Sequence, residues 1–134
     1  MTDGTIDHIG IATSSLDESQ QLWSILGFTQ GEDQINSEQG VKIRFMNGNT
    51  STRIELLEPL GDDTTVGKFI SKYGPGIQQI AVRVADIEET ISVLLSVGVK
   101  MVSETPTLGA DDHRIAFIHP SSAGGVLIEL VESD

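Results

Sequence analysis

Hydrophobic and polar positions along the chain trace the same pattern twice. Residues 5–12 form a short β-branched run that reads as a strand, with Ile9 and Ile11 on one face and His8, Gly10 and Ala12 on the other. Ser15 with Glu18 gives a capping-box signature. Leu16, Leu22, Trp23 and Leu26 then supply a helical apolar stripe, which Gly27 terminates. Strands are predicted near 28–35, 41–47 and 51–58. After a strand around Ile77–Val82, the second half offers Asp86 and Glu89 as cap, Ile87, Ile91, Leu94 and Leu95 as stripe, and Gly98 as stop. Its later strands are predicted near 99–104, 113–118 and 125–132. Between the halves, Asp62 to Tyr73 reads as a linking helix with Val66, Phe69 and Ile70 on one side, ended by Gly74-Pro75-Gly76.

The two halves align residue by residue. Ile6-Asp7-His8-Ile9-Gly10-Ile11 reappears as Ile77-Gln78-Gln79-Ile80-Ala81-Val82, and the same offset carries Ser15 onto Asp86, Trp23 onto Leu94 and Gly27 onto Gly98. Near the end of each half, Ile54-Glu55-Leu56-Leu57-Glu58 matches Ile128-Glu129-Leu130-Val131-Glu132 at a slightly longer offset, as a longer loop in the second half would produce. A collinear set of this kind marks a duplication. The repeated unit is βαβββ, which cannot close a core by itself. Two copies imply an α+β fold with sheets packed side by side around a cleft. The expected organisation is a single domain over 1–134, with module one at about 5–60, the linking helix at about 62–73 and module two at about 76–133.

Composition narrows the chemistry. Of 134 residues, 38% are hydrophobic and only 4% aromatic, so the core is built from Ile, Val and Leu. The absence of cysteine excludes disulfides and thiolate ligands, leaving His, Asp, Glu or amide oxygens for any metal. No apolar run approaches the roughly 20 residues of a membrane span, and nothing resembles a signal peptide, so a soluble cytoplasmic protein is expected. The net charge of −12 argues against nucleic acid and anionic membranes as partners. An anionic substrate would need a local cationic cluster, for which Lys42, Arg44, Arg83 and Arg114 are available.

The duplication singles out four positions where a polar residue is embedded in an apolar strand at equivalent places of both halves: His8 with Gln79, and Glu55 with Glu129. One nitrogen and three oxygens suit a hard or borderline ion with room for two substrate oxygens, and two carboxylates balance a dication. Glu58 and Glu132, at the strand ends, are assigned to solvent. Thr107 to Asp112 and His119 to Gly125 read as substrate-side loops; His113 is expected to be exposed and His119 to serve as a turn residue.

Several stretches carry a resemblance to a known family: Ile6-Asp7-His8-Ile9-Gly10-Ile11-Ala12, Glu38-Gln39-Gly40-Val41, Ile54-Glu55-Leu56-Leu57-Glu58-Pro59-Leu60, Lys68-Phe69-Ile70, Gly74-Pro75-Gly76-Ile77, Phe117-Ile118-His119-Pro120 and Gly124-Gly125-Val126-Leu127-Ile128-Glu129-Leu130. Over nearly its whole length the chain resembles the methylmalonyl-CoA epimerases of the vicinal-oxygen-chelate (glyoxalase/bleomycin resistance) superfamily. The resemblance implies two tandem βαβββ modules around a sheet-lined metal-binding cleft. It also implies metal ligation by His8, Glu55, Gln79 and Glu129, with one divalent ion, Co²⁺ in first place and Mn²⁺, Mg²⁺, Ni²⁺ or Zn²⁺ as alternatives. Epimerases of this kind commonly carry His-His where this chain has Gln78-Gln79.

The implied reaction is epimerisation of methylmalonyl-CoA. The metal would chelate the carboxylate and thioester oxygens and stabilise the enolate formed when the α-proton leaves. Inversion needs an acid–base group on each face of the carbon. Glu129 matches a position proposed both to ligate metal and to move a proton. A glutamate that some epimerases use is replaced here by Ile43, and Glu38 is its substitute candidate. Two alternatives stand beside this reading. One is a glyoxalase I-like lactoylglutathione lyase; the other is a metal-free small-molecule-binding protein of the same fold. The resemblance further implies a homodimer.

Overall fold

A computed structural model describes residues 3–133 of the chain. These form two compact units, one of residues 8–78 and the other of residues 79–133 with the opening segment up to Asp7. The first contains β1 (Ile6–Ala12, from His8 onward), α1 (Leu16–Ile25), β2 (Thr29–Asn36), β3 (Val41–Asn47), β4 (Arg53–Pro59) and α2 (Thr65–Tyr73). Its strands run in the order β2-β3-β4-β1, antiparallel except for the parallel β4–β1 pair. The second unit has β5 (Gly76–Val84, from Gln79 onward), α3 (Ile87–Ser96), β6 (Thr107–Leu108), β7 (Arg114–Ile118) and β8 (Ile128–Glu132). Here the order is β5-β8-β7-β6, again with one parallel pair, β5–β8. Each unit is thus a βαβββ module, and the α+β class expected from the duplication holds.

Strand register sorts the side chains onto two faces. In the first module Ile9 and Ile11 pair with Ile54 and Leu56, and this face packs against α1 in a core of Leu16, Met46, Ile54 and Leu56, with Trp23 and Phe28 at its margin. Leu56 and Met46 are fully buried; a side chain such as Leu56 contributes about 1.5–3 kcal/mol by leaving water. The second module repeats this, with Ile87, Ile91, Met101, Ala116 and Leu130 beneath α3. The opposite faces carry His8 with Glu55 in one module and Ala81, Glu129 and Val131 in the other.

Both helices begin as the local signals require. Ser15 Oγ accepts from the Glu18 N–H at 3.2 Å, and Asp86 Oδ1 accepts from the Glu89 N–H at 3.0 Å. Glycines in the left-handed region follow both helices, at Gly27 (φ 99°) and Gly98 (φ 86°). The linking helix starts at Thr65 rather than Asp62, because Thr64 Oγ1 caps the Gly67 N–H.

Four expectations need correction. Glu58 and Glu132 do not simply face solvent: Glu58 Oε1 accepts from the Leu16 N–H at 3.0 Å, and Glu132 Oε2 from the Ile87 N–H at 2.9 Å. Each joins the last strand of its module to the first turn of its helix, where backbone N–H groups lack intrahelical partners. Leu22 and Leu26 lie outside the packed stripe of α1, at 58% and 59% exposed; at 3.6 residues per turn, Leu22 sits about 100° around the helix from Trp23. The strand expected over 99–104 reduces to a single bridge, Met101 to Ile118, and the edge is taken by the two-residue β6. Pro106, following the polar Ser103 and Glu104, has no N–H for a ladder. Finally, β8 begins at Ile128 rather than 125, because Gly124 and Gly125 turn with φ of 65° and 93°.

Candidate metal-binding site

Each module presents a polar pair at its duplicated strand positions. In the first, His8 Nε2 lies 3.2 Å from Glu55 Oε2, with the two side chains 4% and 5% exposed. The pair arises from register: His8 and Gly10 stand beside Arg53 and Glu55 in the parallel β1–β4 ladder, and alternation turns His8 and Glu55 to one face. In the second module Gln79 Nε2 donates to Glu129 Oε1 at 2.8 Å, and both residues are buried. The phenylalanines repeat as well, Phe45 pairing with Glu55 and Phe117 with Glu129.

These side chains fit a metal by donor chemistry. His8, Glu55 and Glu129 are buried and each offers one ligand atom of a kind that divalent ions accept. A buried carboxylate is costly unless a positive charge or strong donors meet it. Gln79 fits by rotation of its terminal amide, which exchanges Nε2 for Oε1 at the same place. Its neighbour Gln78 is also buried, with Oε1 lacking a hydrogen-bond partner.

Glu38 lies elsewhere in the first module. It is exposed on the turn between β2 and β3, where Ser37, Glu38, Gln39 and Gly40 line a cavity of about 300 Å³ with Asp63, Thr64 and Thr65 at the start of α2. Ile43 is buried on β3.

The cations put forward for an anionic substrate are engaged in carboxylate pairs. Arg44 is 6% exposed on the helix-facing side of β3, held bidentately by Asp33 and also by Asp17 of α1. Its guanidinium, as hydrogen-bond donor, keeps the Asp33 carboxyl below its ordinary pKa. Arg114, three residues before Phe117 as Lys42 is before Phe45, donates twice to Glu132 and once to Glu88 on α3. Hydrogen bonding to Arg114, then to the Ile87 N–H, depresses the Glu132 carboxyl. Arg83 Nε meets Asp7 Oδ1 at 2.7 Å, and Lys42 is 3.9 Å from Asp33. Sequence reasoning passed over Arg53, although its two-residue spacing from Glu55 was a usable signal. Its guanidinium carbon lies 3.8 Å from the Phe45 ring centroid, and that ring meets His8 edge-on at 5.9 Å.

His113 is half-buried rather than exposed, in a turn closed by the Gly109 N–H donating to its carbonyl at 2.9 Å. The turn role of His119 holds: its Nδ1 accepts from the Ser121 N–H at 3.0 Å. Asp111 and Asp112 of the preceding loop both have left-handed φ, at 57° and 58°. Among the described residues no helix is long and apolar enough to cross a membrane.

Residues 7–117 match the Glyoxalase/Bleomycin resistance protein/Dioxygenase superfamily. The chain is 37% identical over 131 residues to the mitochondrial methylmalonyl-CoA epimerase of Dictyostelium discoideum, covering 96% of this chain and 78% of that protein. Among solved structures, the methylmalonyl-CoA epimerase of Mycobacterium tuberculosis superposes with a TM-score of 0.91 at 41% identity, over 96% of this chain and 87% of the other. A Streptomyces coelicolor methylmalonyl-CoA epimerase variant in complex with 2-nitronate-propionyl-CoA gives a TM-score of 0.90 at 36% identity, over 96% and 94% of the two chains.

Proposed function

Because the chain belongs to the glyoxalase/bleomycin resistance protein/dioxygenase superfamily, we propose that it is an isomerase that epimerises methylmalonyl-CoA at the α-carbon with the help of one divalent ion. The observation that carries the reading is the repeated polar pair. A buried His8–Glu55 contact and a buried Gln79–Glu129 hydrogen bond stand at equivalent positions of a chain related throughout to epimerases. His8, Glu55, Gln79 and Glu129 would hold the ion, Co²⁺ before Mn²⁺, Mg²⁺, Ni²⁺ or Zn²⁺. When bound, such an ion supplies Lewis-acid polarisation of the thioester carbonyl and balances charge on the enolate.

The chain's own residues then move protons. A Glu129 carboxylate oxygen takes the α-proton as the C–H electrons pass into the carbonyl, and a second group returns a proton to the opposite face. Without the ion, Gln79 Nε2 donates to Glu129 Oε1; turning the amide oxygen toward the ion would release that hydrogen bond. Glu38, the sequence candidate for the second role, sits on the exposed turn before Val41, whose ladder partner Pro59 is four residues along β4 from Glu55, so the second role falls to another group. The buried carboxylates disfavour a metal-free binding protein, since an apolar pocket would leave them uncompensated. The enzyme is taken to act in the cytoplasm as a homodimer.

The test is deuterium incorporation at the α-carbon of methylmalonyl-CoA in heavy water, after chelation and again with Co²⁺ restored. Exchange should depend on the metal, and Glu129→Gln should lower it by roughly 10²–10⁴-fold. Glu38→Gln should leave both exchange and interconversion of the two epimers near wild-type rates. Folded wild-type protein that exchanges no proton with any divalent ion would overturn the assignment.

A further inference from the structure

Eight basic residues stand against twenty acidic ones in this chain. Arg44, Arg83, Arg114 and Lys42 meet carboxylates, and Arg53 lies over the Phe45 ring. Among the described residues no ion pair joins Lys68, Lys72 or Lys100 to a carboxylate, and all three lysines are exposed. Two of the three share α2, which follows β4, the strand of Glu55, and packs against it within the first module. Residues Thr65–Tyr73 contain no acidic side chain, whereas α1 and α3 each carry two in the first turn and no basic one in the last. Lys72 suits the negative C-terminal end of its helix. Lys68 sits a turn earlier, at the spacing where like charges repel. Beside this row runs a second at the same spacing, Phe69 and Tyr73, with ring centroids 5.2 Å apart. Lys72 Nζ lies 5.1 Å from the Tyr73 centroid, and Tyr73 is 66% exposed. Val66 and Gly67 are the buried side of the helix, so the lysine row and Tyr73 face outward.

We propose that this face of α2 binds the nucleotide end of the acyl-CoA, with Lys68 and Lys72 on its phosphates and Tyr73 against the adenine ring. This rests on the epimerase reading above, whose substrate is a CoA thioester. Complementary charge carries the assignment. The nucleotide end bears a diphosphate and a 3′-phosphate, and a molecule of net charge −12 repels such an anion unless a local cluster of cations meets it. Lys42, Arg44, Arg83 and Arg114 are held by carboxylates, whereas α2 presents two lysines that are not. The two rows also suit the two parts of the ligand. Ammonium groups meet phosphate as point charges, and an exposed aromatic face stacks on a base. Lys72 leaves its place over the ring at little cost, because a cation–π contact at an exposed site is weak. The pantetheine arm separates this end of the substrate from its thioester, so the nucleotide is held apart from the metal ligands.

The experiment follows α-proton exchange of methylmalonyl-CoA and of methylmalonyl-pantetheine, which lacks the nucleotide, by the Co²⁺-loaded wild type, the Lys68→Gln/Lys72→Gln double variant and Tyr73→Ala. Calorimetry with adenosine 3′,5′-bisphosphate reads the nucleotide site alone. The double variant should raise KM for methylmalonyl-CoA by about 5- to 20-fold at unchanged kcat, the scale of two exposed charge contacts. Tyr73→Ala should raise it by about 5-fold, the low end of base stacking on an aromatic ring. Both should change KM for the pantetheine thioester by less than about 2-fold, and weaken the bisphosphate in step with the CoA ester. Lys68→Arg/Lys72→Arg, which keeps the charges, should hold KM within about 3-fold of wild type. Equal changes with both thioesters, or none with either, overturn the α2 site and leave the epimerase reading standing. Wild-type protein that binds the bisphosphate through α2 but exchanges the α-proton of neither thioester overturns the epimerase reading instead.

Discussion

Glu132 accepts two hydrogen bonds from Arg114, at 2.9 and 3.0 Å, and a third from the Ile87 backbone at 2.9 Å. All three favour the ionised carboxylate, so its pKa in the folded protein lies below its ordinary value. Stability from such a group is present above the unfolded pKa, about 4, and is lost as pH falls through the lower folded value. Asp33, depressed by Arg44, acts in the same direction. Melting temperatures measured from pH 6 to pH 2 should therefore drop most steeply below about 4. Arg114→Gln should flatten part of that drop; identical acid limbs for variant and wild type would remove the pair from the account. The effect is small because the Arg114 side chain is 42% exposed. Strand alternation alone could not show this role: it assigns a face to Glu132, but not the reach of a long side chain to another element's N–H groups.

At the level of elements, the N-termini of α1 and α3 are each satisfied twice, by their own cap and by a glutamate from the last strand of their module. For α3 these are Asp86 and Glu132; for α1, Ser15 and Glu58. Asp86→Ala should cost about 1 kcal/mol, read as a lowered urea midpoint with an unchanged slope. No change would mean that Glu132 suffices by itself. The helices were legible because cap, stripe and glycine stop lie within a dozen residues of one another. The edge of the second module was not, because a strand exists only where a partner accepts its hydrogen bonds, and residues 99–104 make just one bridge.

For the molecule as a whole, the expected homodimer can be set against the apolar surface. Leu22 and Ile25 on α1, and Leu26 at its C-cap, recur at helical spacing and are 58%, 82% and 59% exposed. Sedimentation equilibrium should report twice the chain mass, and Ile25→Lys should shift the population toward monomer if this stripe is covered. A wild-type chain that sediments as a monomer would remove the dimer from the reading.

What the sequence determined by itself was the duplication, the α+β class and the four polar strand positions. Periodicity and repetition are carried by residue order, and His8, Glu55, Gln79 and Glu129 stand out against apolar neighbours without reference to partners. Family resemblance added the reaction, which relatives across nearly the whole chain support. Tertiary structure decided what depends on distance between remote residues. It placed Arg44 and Arg114 in carboxylate pairs on helix-facing sides, gave Glu58 and Glu132 to helix N-termini, and stacked Arg53 on Phe45 beside His8. A cation's charge is written in its residue type, but its use depends on which carboxylates the fold brings within about 3 Å.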